Sequence, residues 1–163
     1  MRFAMRRPSS GTPSACRSGP GRESGQAVVE FAMVVPILCV LVLVLVDFGK
    51  GMNYWLDLNH VSSETARKAA VNAFPTAGEY QTYAIDRLET SELKAGGTDS
   101  VPTAAGVAIC LPEGSDVGDP VTVQISVGYD WIPFIDHANW QIRGTATMRL
   151  EQDALFSGVG TCT

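Results

Sequence analysis

A chain of 163 residues with 45% hydrophobic and 18% charged residues is too apolar for a disordered tail and long enough for one modest domain with appendages. Its net charge is −5, and the acidic part beyond residue 46 has no basic stripe of the kind that nucleic-acid binding requires. Residues 1–24 are rich in Ser, Gly, Pro and Arg, a tail with little to bury in a fold. Residues 27–46 then form an apolar run broken only by Glu30. As a helix the run rises roughly 30 Å, the thickness of bilayer hydrocarbon, so it reads as a transmembrane helix. Arg2, Arg6, Arg7, Arg17 and Arg22 precede it against the single acid Glu23, which places the N-terminus inside and the acidic remainder outside. The run ends in Asp47-Phe48-Gly49 rather than a small-x-small site, which argues against ordinary signal peptidase processing.

Glu30 stands out in this run. An ionised carboxylate in lipid is costly, on the order of 2.5–3.5 kcal/mol at mid-membrane, so it needs a partner or a route to the headgroups. On charge alone two readings stay open: the side chain snorkels to the interface or the helix begins a turn later, or a cation meets it. Within the same run, Pro36 frees a backbone carbonyl near Ala32 and is expected to kink the helix.

Beyond the run no proline interrupts residues 50–73, so the helix is expected to continue to Phe74-Pro75. Phe48, Met52, Trp55, Ala66, Ala70 and Ala73 fall near one face at steps of three or four. Ala69 and Ala70 suit either close packing on the chain's own sheet or contact with another subunit. Residues 78–93 place Tyr80, Tyr83, Ala84, Arg87 and Leu88 at helical spacing after Thr76, a second and shorter helix. Three strand-like runs follow, 106–111, 121–129 and 141–150. In the second, Val121, Val123, Ile125, Val127 and Tyr129 share one face, which suits an antiparallel sheet covered on one side by helix. The fold class is therefore α+β: a long N-terminal helix, a short helix and a small antiparallel sheet forming a head.

Cysteines divide by compartment. Cys16 lies in the inner leader and Cys39 in the membrane run, whereas Cys110 and Cys162 both lie outside, where a disulfide persists. A bridge between Cys110 and Cys162 would tie the C-terminal tail to the first strand; two free thiols are the alternative. Neither histidine, His60 nor His137, sits in a metal or catalytic motif, and Asp130, Asp136 and His137 have no nucleophile beside them. No enzyme activity, cofactor, metal or small-molecule substrate is expected. Tyr129, Trp131, Phe134 and Trp140 read as core packing or a loop plug, with a binding patch as the alternative.

Gly25, followed by an apolar segment with Glu30 at its fifth position counted from Gln26 and preceded by a short basic leader, resembles the processing site of type IV prepilins and pseudopilins. That resemblance implies cleavage between Gly25 and Gln26 by the membrane-embedded prepilin peptidase. It also implies a partner for Glu30, the freed amino group of Gln26 on a neighbouring subunit. Opposite charges ~4 Å apart attract by ~4 kcal/mol at an effective dielectric of about 20, comparable with the cost of the acid in lipid. More specifically, Val29-Glu30-Phe31, Pro36, Asp47-Phe48-Gly49, Ala66-Arg67 and Ala69-Ala70, in that order, resemble the N-terminal signature of the TadE-like family. Its members are pseudopilin or minor pilin components of tight-adherence (Tad, Flp-type) pilus machines. The stretch Asn59-His60-Val61-Ser62-Ser63-Glu64-Thr65-Ala66-Arg67 departs from the family's more usual Arg-Glu-Gly pattern.

The resemblance assigns residues 1–25 to a cleaved cytoplasmic leader, 26–46 to the transmembrane helix, 47–74 to its outer continuation and 75–163 to an exterior head. It gives Glu30, Phe31 and Pro36 roles in subunit pairing and assembly. The implied partners are the membrane, the prepilin peptidase, other pilin-like subunits and the Tad assembly machinery. The competing reading is an uncleaved single-pass anchor whose head binds a ligand.

Overall fold

The computed structural model describes residues 23–98, 105–130 and 139–162. The chain separates into two compact units, Met1–Val40 and Leu41–Thr163. Helix α1, Glu23–Ala70, carries the apolar run and continues through Pro36 as one helix. In the first unit, Val28, Val29, Phe31, Met33, Val34, Ile37, Leu38 and Val40 are all exposed. The most apolar 18-residue window of α1 has a mean hydropathy of 2.9 and no buried residue, so the helix is long and apolar enough to cross a membrane.

The second unit is the head. Its sheet has strands β1 (Gly106–Cys110), β2 (Pro120–Asp130) and β3 (Asn139–Arg149), antiparallel in that order. The expected alternation holds in β2: Val121, Val123, Ile125, Val127 and Tyr129 are all buried. The register pairs Val127 with Ile142 and Val123 with Ala146, so β3 adds Ile142, Gly144 and Ala146 to the same face.

Helix α1 covers that face with a stripe that includes Ala66 and Ala70 of the expected face but not Phe48, Met52, Trp55 or Ala73. Gly51, Tyr54, Leu58, Val61, Ser62, Thr65, Ala66, Ala69 and Ala70 are buried. Phe48, Met52 and Trp55 are about half exposed, and Ala73 is exposed beyond the helix. Two polar residues join the buried stripe by bonding to their own helix. Thr65 Oγ1 donates to the Val61 carbonyl at 2.8 Å and Ser62 Oγ to the Asn59 carbonyl at 3.1 Å, which satisfies each hydroxyl without a partner on the sheet. Ala69 and Ala70 belong to this core, so they pack on the chain's own head.

α1 stops at Ala70, short of Phe74-Pro75, because Asn72 turns left-handed at φ 50°. The Asn72 N–H donates to the Ala69 carbonyl at 3.1 Å and the Ala73 N–H to the Lys68 carbonyl at 3.0 Å, the pair of reverse bonds that closes a helix C-terminus. Asparagine tolerates the left-handed region, so it ends the helix before proline is reached.

The single helix expected over residues 78–93 is two, α2 (Ala77–Arg87) and α3 (Ser91–Lys94). Leu88 leaves helical geometry at ψ 135°, and the Thr90 side chain accepts the Leu93 N–H at 3.2 Å, so a new helix start is built inside the segment. The break lets Leu88 and Leu93, both buried, point into one core. Thr76 stands at the α2 N-cap as expected, although its side chain makes no capping bond. α2 packs on β1, where Gln81 Nε2 donates to the Val107 carbonyl at 2.8 Å. After α3, the Gly96–Thr98 segment extends the β1 side of β2: the Gly128 N–H donates to the Gly96 carbonyl at 2.9 Å and the Thr98 N–H to the Gly128 carbonyl at 3.1 Å. Gly97 sits at φ 106°, and a Cβ there would lie 1.9 Å from the Gly128 carbonyl oxygen, so only glycine makes this crossing.

The tail returns to the sheet. Ile109 and Val159 exchange backbone bonds at 2.8 and 2.7 Å, Phe156 is buried against Tyr80, and Cys110 is joined to Cys162. Of the two options for these cysteines, the bridge is the one present.

Candidate functional site

Two regions of α1 carry the chemistry that the sequence singles out. The first is its N-terminal end. Gly25, Gln26, Glu30 and Phe31 are all exposed, and nothing lies within 4 Å of where a Gly25 side chain would begin. The Gly25–Gln26 bond falls in the first helical turn, where backbone N–H groups lack intrahelical partners and opening is least costly. Pro36 follows on the same helix, also exposed.

The second region is where α1 enters the head. Tyr129, at the end of β2, directs its hydroxyl to Asp47, 2.7 Å from Oδ1 and 3.0 Å from the backbone carbonyl. Burial, then the Asp47 bond, pushes the Tyr129 phenol well above the ordinary tyrosine range, so it remains a donor at any physiological pH. Tyr54 stands edge-on to Tyr129, ring centres 5.8 Å apart, and its hydroxyl donates to Glu92 Oε2. Lys50 Nζ reaches Glu92 Oε1 at 3.0 Å and lies over the Tyr54 ring. Residues from α1, α3 and β2 thus fasten the helix to the head just past the apolar run. No local pattern signals this latch, since it joins residues 38 to 82 positions apart. A second polar cluster joins α1 to α2: the Tyr83 hydroxyl donates to Glu64, and Arg87 pairs with Glu64 at 3.3 Å.

Both glutamates are held below their ordinary value of 4.5. For Glu92 the cause is first the Tyr54 hydroxyl and then, against an opposing burial effect, Lys50; for Glu64 it is the Tyr83 hydroxyl, again opposed by burial, with Arg87 adding. A carboxyl with a lowered folded pKa contributes stability that is complete above its unfolded value and is lost as pH falls through the folded one. Tyr54→Phe should therefore lower stability at neutral pH by on the order of 1 kcal/mol, discounted for partial exposure. The wild-type advantage should shrink below about pH 4.5, the ordinary glutamate value. Chemical denaturation of both proteins at neutral and acid pH checks this, and a gap that widens in acid would contradict it.

Beside the latch lies an exposed groove of about 390 Å³ lined by Phe48, Met52, Trp55, Trp140, Ile142 and Arg143. Of the aromatic cluster expected to pack together, Tyr129 is core and Trp140 is 62% exposed in this groove. Trp131 and Phe134 lie outside the described residues, as do Asp136 and His137. His60 is exposed on α1, and among the described residues no group of His, Cys, Asp and Glu is placed to hold a metal ion.

No curated protein and no solved structure matches the chain. A family model does, that of TadE-like protein, over residues 25–67. The matched span begins at Gly25, takes in Glu30, Phe31, Pro36 and the α1 residues of the latch, Asp47, Lys50 and Tyr54, and ends about one turn before α1 stops. Over residues 25–67, all within helix α1, this chain is similar to TadE-like protein.

Proposed function

We propose that the protein is a pseudopilin or minor pilin of a tight-adherence, type IV-like pilus system, inserted in the cytoplasmic membrane with its N-terminus inside and its head outside. The prepilin peptidase cuts between Gly25 and Gln26, and the mature helix bundles with those of other pilin-like subunits and the Tad assembly machinery. The observation that carries this reading is an apolar run, residues 27–46 of α1, with no buried residue, bearing Glu30 at the fifth position after Gly25, in the segment that the family model matches. So much uncovered apolar surface is stable only in lipid or against other apolar helices. The Gln26 ammonium of one subunit neutralises Glu30 of the next, and Phe31 and Pro36 shape the adjoining contact. Because a misplaced subunit leaves two unpaired charges in an apolar bundle, the pair fixes the stagger.

The two halves of the proposal separate by mutation in cells that hold the whole machinery. Gly25→Ala puts a methyl group at the cleavage position and is expected to leave the leader attached. Glu30→Ala is expected to be cut yet fail to co-assemble, with Glu30→Gln behaving the same because charge, not size, is the operative property. Normal co-assembly of Glu30→Ala would overturn the pairing.

A further inference from the structure

Exposed apolar side chains of the head gather where α1 ends, remote from the latch. Past Leu56, four large hydrophobic residues are exposed among the described residues: Val71, Val117, Trp140 and Leu155. Three of them, Val71, Val117 and Leu155, surround Asn72 and Asp153. The Asn72 side chain, next to Val71, donates to the Asp153 carbonyl at 2.7 Å and accepts the Leu155 N–H at 3.2 Å, while the Asp153 carboxylate accepts the Val117 N–H at 3.0 Å. Val71 also lines a groove of about 540 Å³ together with Ala70, Met148, Arg67, Arg149 and Glu151.

Charges of both signs border this patch without pairing with one another. The Arg67 guanidinium has no hydrogen bond or ion pair among the described residues, and Arg149 donates only to the Gly118 carbonyl, at 2.7 Å. Glu151 pairs with neither arginine, and its one negative charge does not cancel their two positive ones. Next to Arg149, the loop between β1 and β2 presents Glu113, Asp116 and Val117, all exposed. The tip of this loop is fixed: the Asp119 carboxylate accepts the Asp116 N–H at 3.1 Å and the Asp119 N–H donates to the Asp116 carbonyl at 3.0 Å. A preformed knob of acidic and apolar residues therefore adjoins a groove of basic and apolar ones.

We propose that this face binds a second copy of the chain about a two-fold axis, with Val117 of each copy against Val71 and Met148 of the other and Asp116 of each against Arg67. The inference concerns the head alone and goes beyond the pairing of Glu30 with Gln26 proposed above. A two-fold contact uses one patch on both subunits, so knob and groove have to lie side by side, as the Arg149–Gly118 bond places them. A head-to-tail contact would instead draw on two separate patches. An apolar centre bordered by complementary charges is the composition of a specific protein interface, and a loop held in place before contact loses little freedom on binding.

The test is position-specific cross-linking of the full-length chain in membranes from cells that produce two variants together, one Val71→Cys and the other Val117→Cys. Both also carry Cys16→Ser/Cys39→Ser, so the introduced thiols are the free ones and the Cys110–Cys162 bridge stays intact. On oxidation, a dimer of this chain linked from residue 71 to residue 117 is expected, identified by peptide mass spectrometry. Arg67→Glu added to the Val71→Cys copy is expected to lower the yield several-fold, and Asp116→Arg added to the Val117→Cys copy is then expected to restore it. Absence of the 71–117 link in the first pair overturns the proposal. A yield that Arg67→Glu leaves unchanged also overturns it, since chance collision in the membrane gives that result, as does a link from either position to a different protein in place of the second copy. The same link is expected in cells without the prepilin peptidase, because the contact lies in the head. A link that forms only after cleavage overturns this contact while leaving the pairing of Glu30 standing.

Discussion

Gly144→Ala is expected to destabilise the head by about 3 kcal/mol or more, the upper end of overpacking losses. Its φ lies outside the left-handed region, so the reason is space alone. A Cβ at this point of β3 would stand 2.4 Å from the Leu58 carbonyl carbon, 2.5 Å from its oxygen and 2.7 Å from the Asn59 nitrogen. Those atoms are the backbone of α1, which no rotamer change can clear. The helix would have to move off the sheet as a body, separating Leu58 and Val61 from Val123 and Ile125, all of them buried to 1% exposure or less. Thermal unfolding should show a fall in melting temperature on the order of 10–20 °C. Gly51→Ala is the matched control. Its Cβ would meet the Tyr129 ring at 3.7 Å, an ordinary contact, and alanine favours the helix by up to about 1 kcal/mol, so this variant should be as stable as wild type or more so. Equal melting temperatures for Gly144→Ala and wild type would contradict the close seating of α1 on β3.

Cys110→Ser/Cys162→Ser is expected to be the second large effect. The bridge joins residues 52 apart, and closing such a loop in the unfolded chain is worth about 4 kcal/mol by the chain-entropy relation. Part of the tail's placement survives its loss. The Ile109–Val159 bonds and the buried Phe156 ring still hold residues 154–159 against β1 and Tyr80. The observed loss should therefore come through the unfolded state, with the native fold retained and unfolding shifted to lower denaturant. Adding a reductant to wild type should reproduce the variant, and a reduced protein as stable as the oxidised one would contradict the role given to the bridge.

How far the fold was legible depended on whether a pattern was local. β2 announces itself because valine, isoleucine and tyrosine alternate with smaller or more polar residues over its whole length, and its buried face needs no further information. The pairing of Cys110 with Cys162 is one of two readings the sequence leaves open, and the bridge is the one present. The buried stripe of α1 was misjudged for a specific reason. The sequence offers two apolar stripes there, Phe48-Met52-Trp55 and Tyr54-Leu58-Val61, and spacing alone does not say which one meets the sheet. The second stripe is extended by Ser62 and Thr65, whose polarity disguised it until their bonds to Asn59 and Val61 were seen. The break between α2 and α3 had a readable signal in Thr90, a residue suited to capping, yet the helical spacing of Tyr80, Tyr83, Ala84, Arg87 and Leu88 masked it. Asn72 likewise outranks Pro75 as a helix stop, because it meets the chain first and tolerates positive φ.

The candidate site divided in the same way. Gly25, Gln26 and Glu30 are contiguous, so their arrangement is visible in the sequence as a pattern. The latch of Asp47, Tyr54, Glu92 and Tyr129 is assembled by tertiary packing from three separate elements, and no spacing rule reaches it. The groove is similar: Trp140 sits beside Trp55 only because β3 begins next to the point where α1 enters the head.

In the proposed assembly the cation that neutralises Glu30 is the α-amino group of Gln26, which exists only after cleavage. Intact-mass and N-terminal peptide mass spectrometry of the protein, isolated from cells with and without the prepilin peptidase, addresses that point most directly. A mature chain beginning at Gln26 in the presence of the enzyme, and a full-length chain in its absence, is the expected result. A chain that keeps residues 2–24 in cells containing the active peptidase would contradict it.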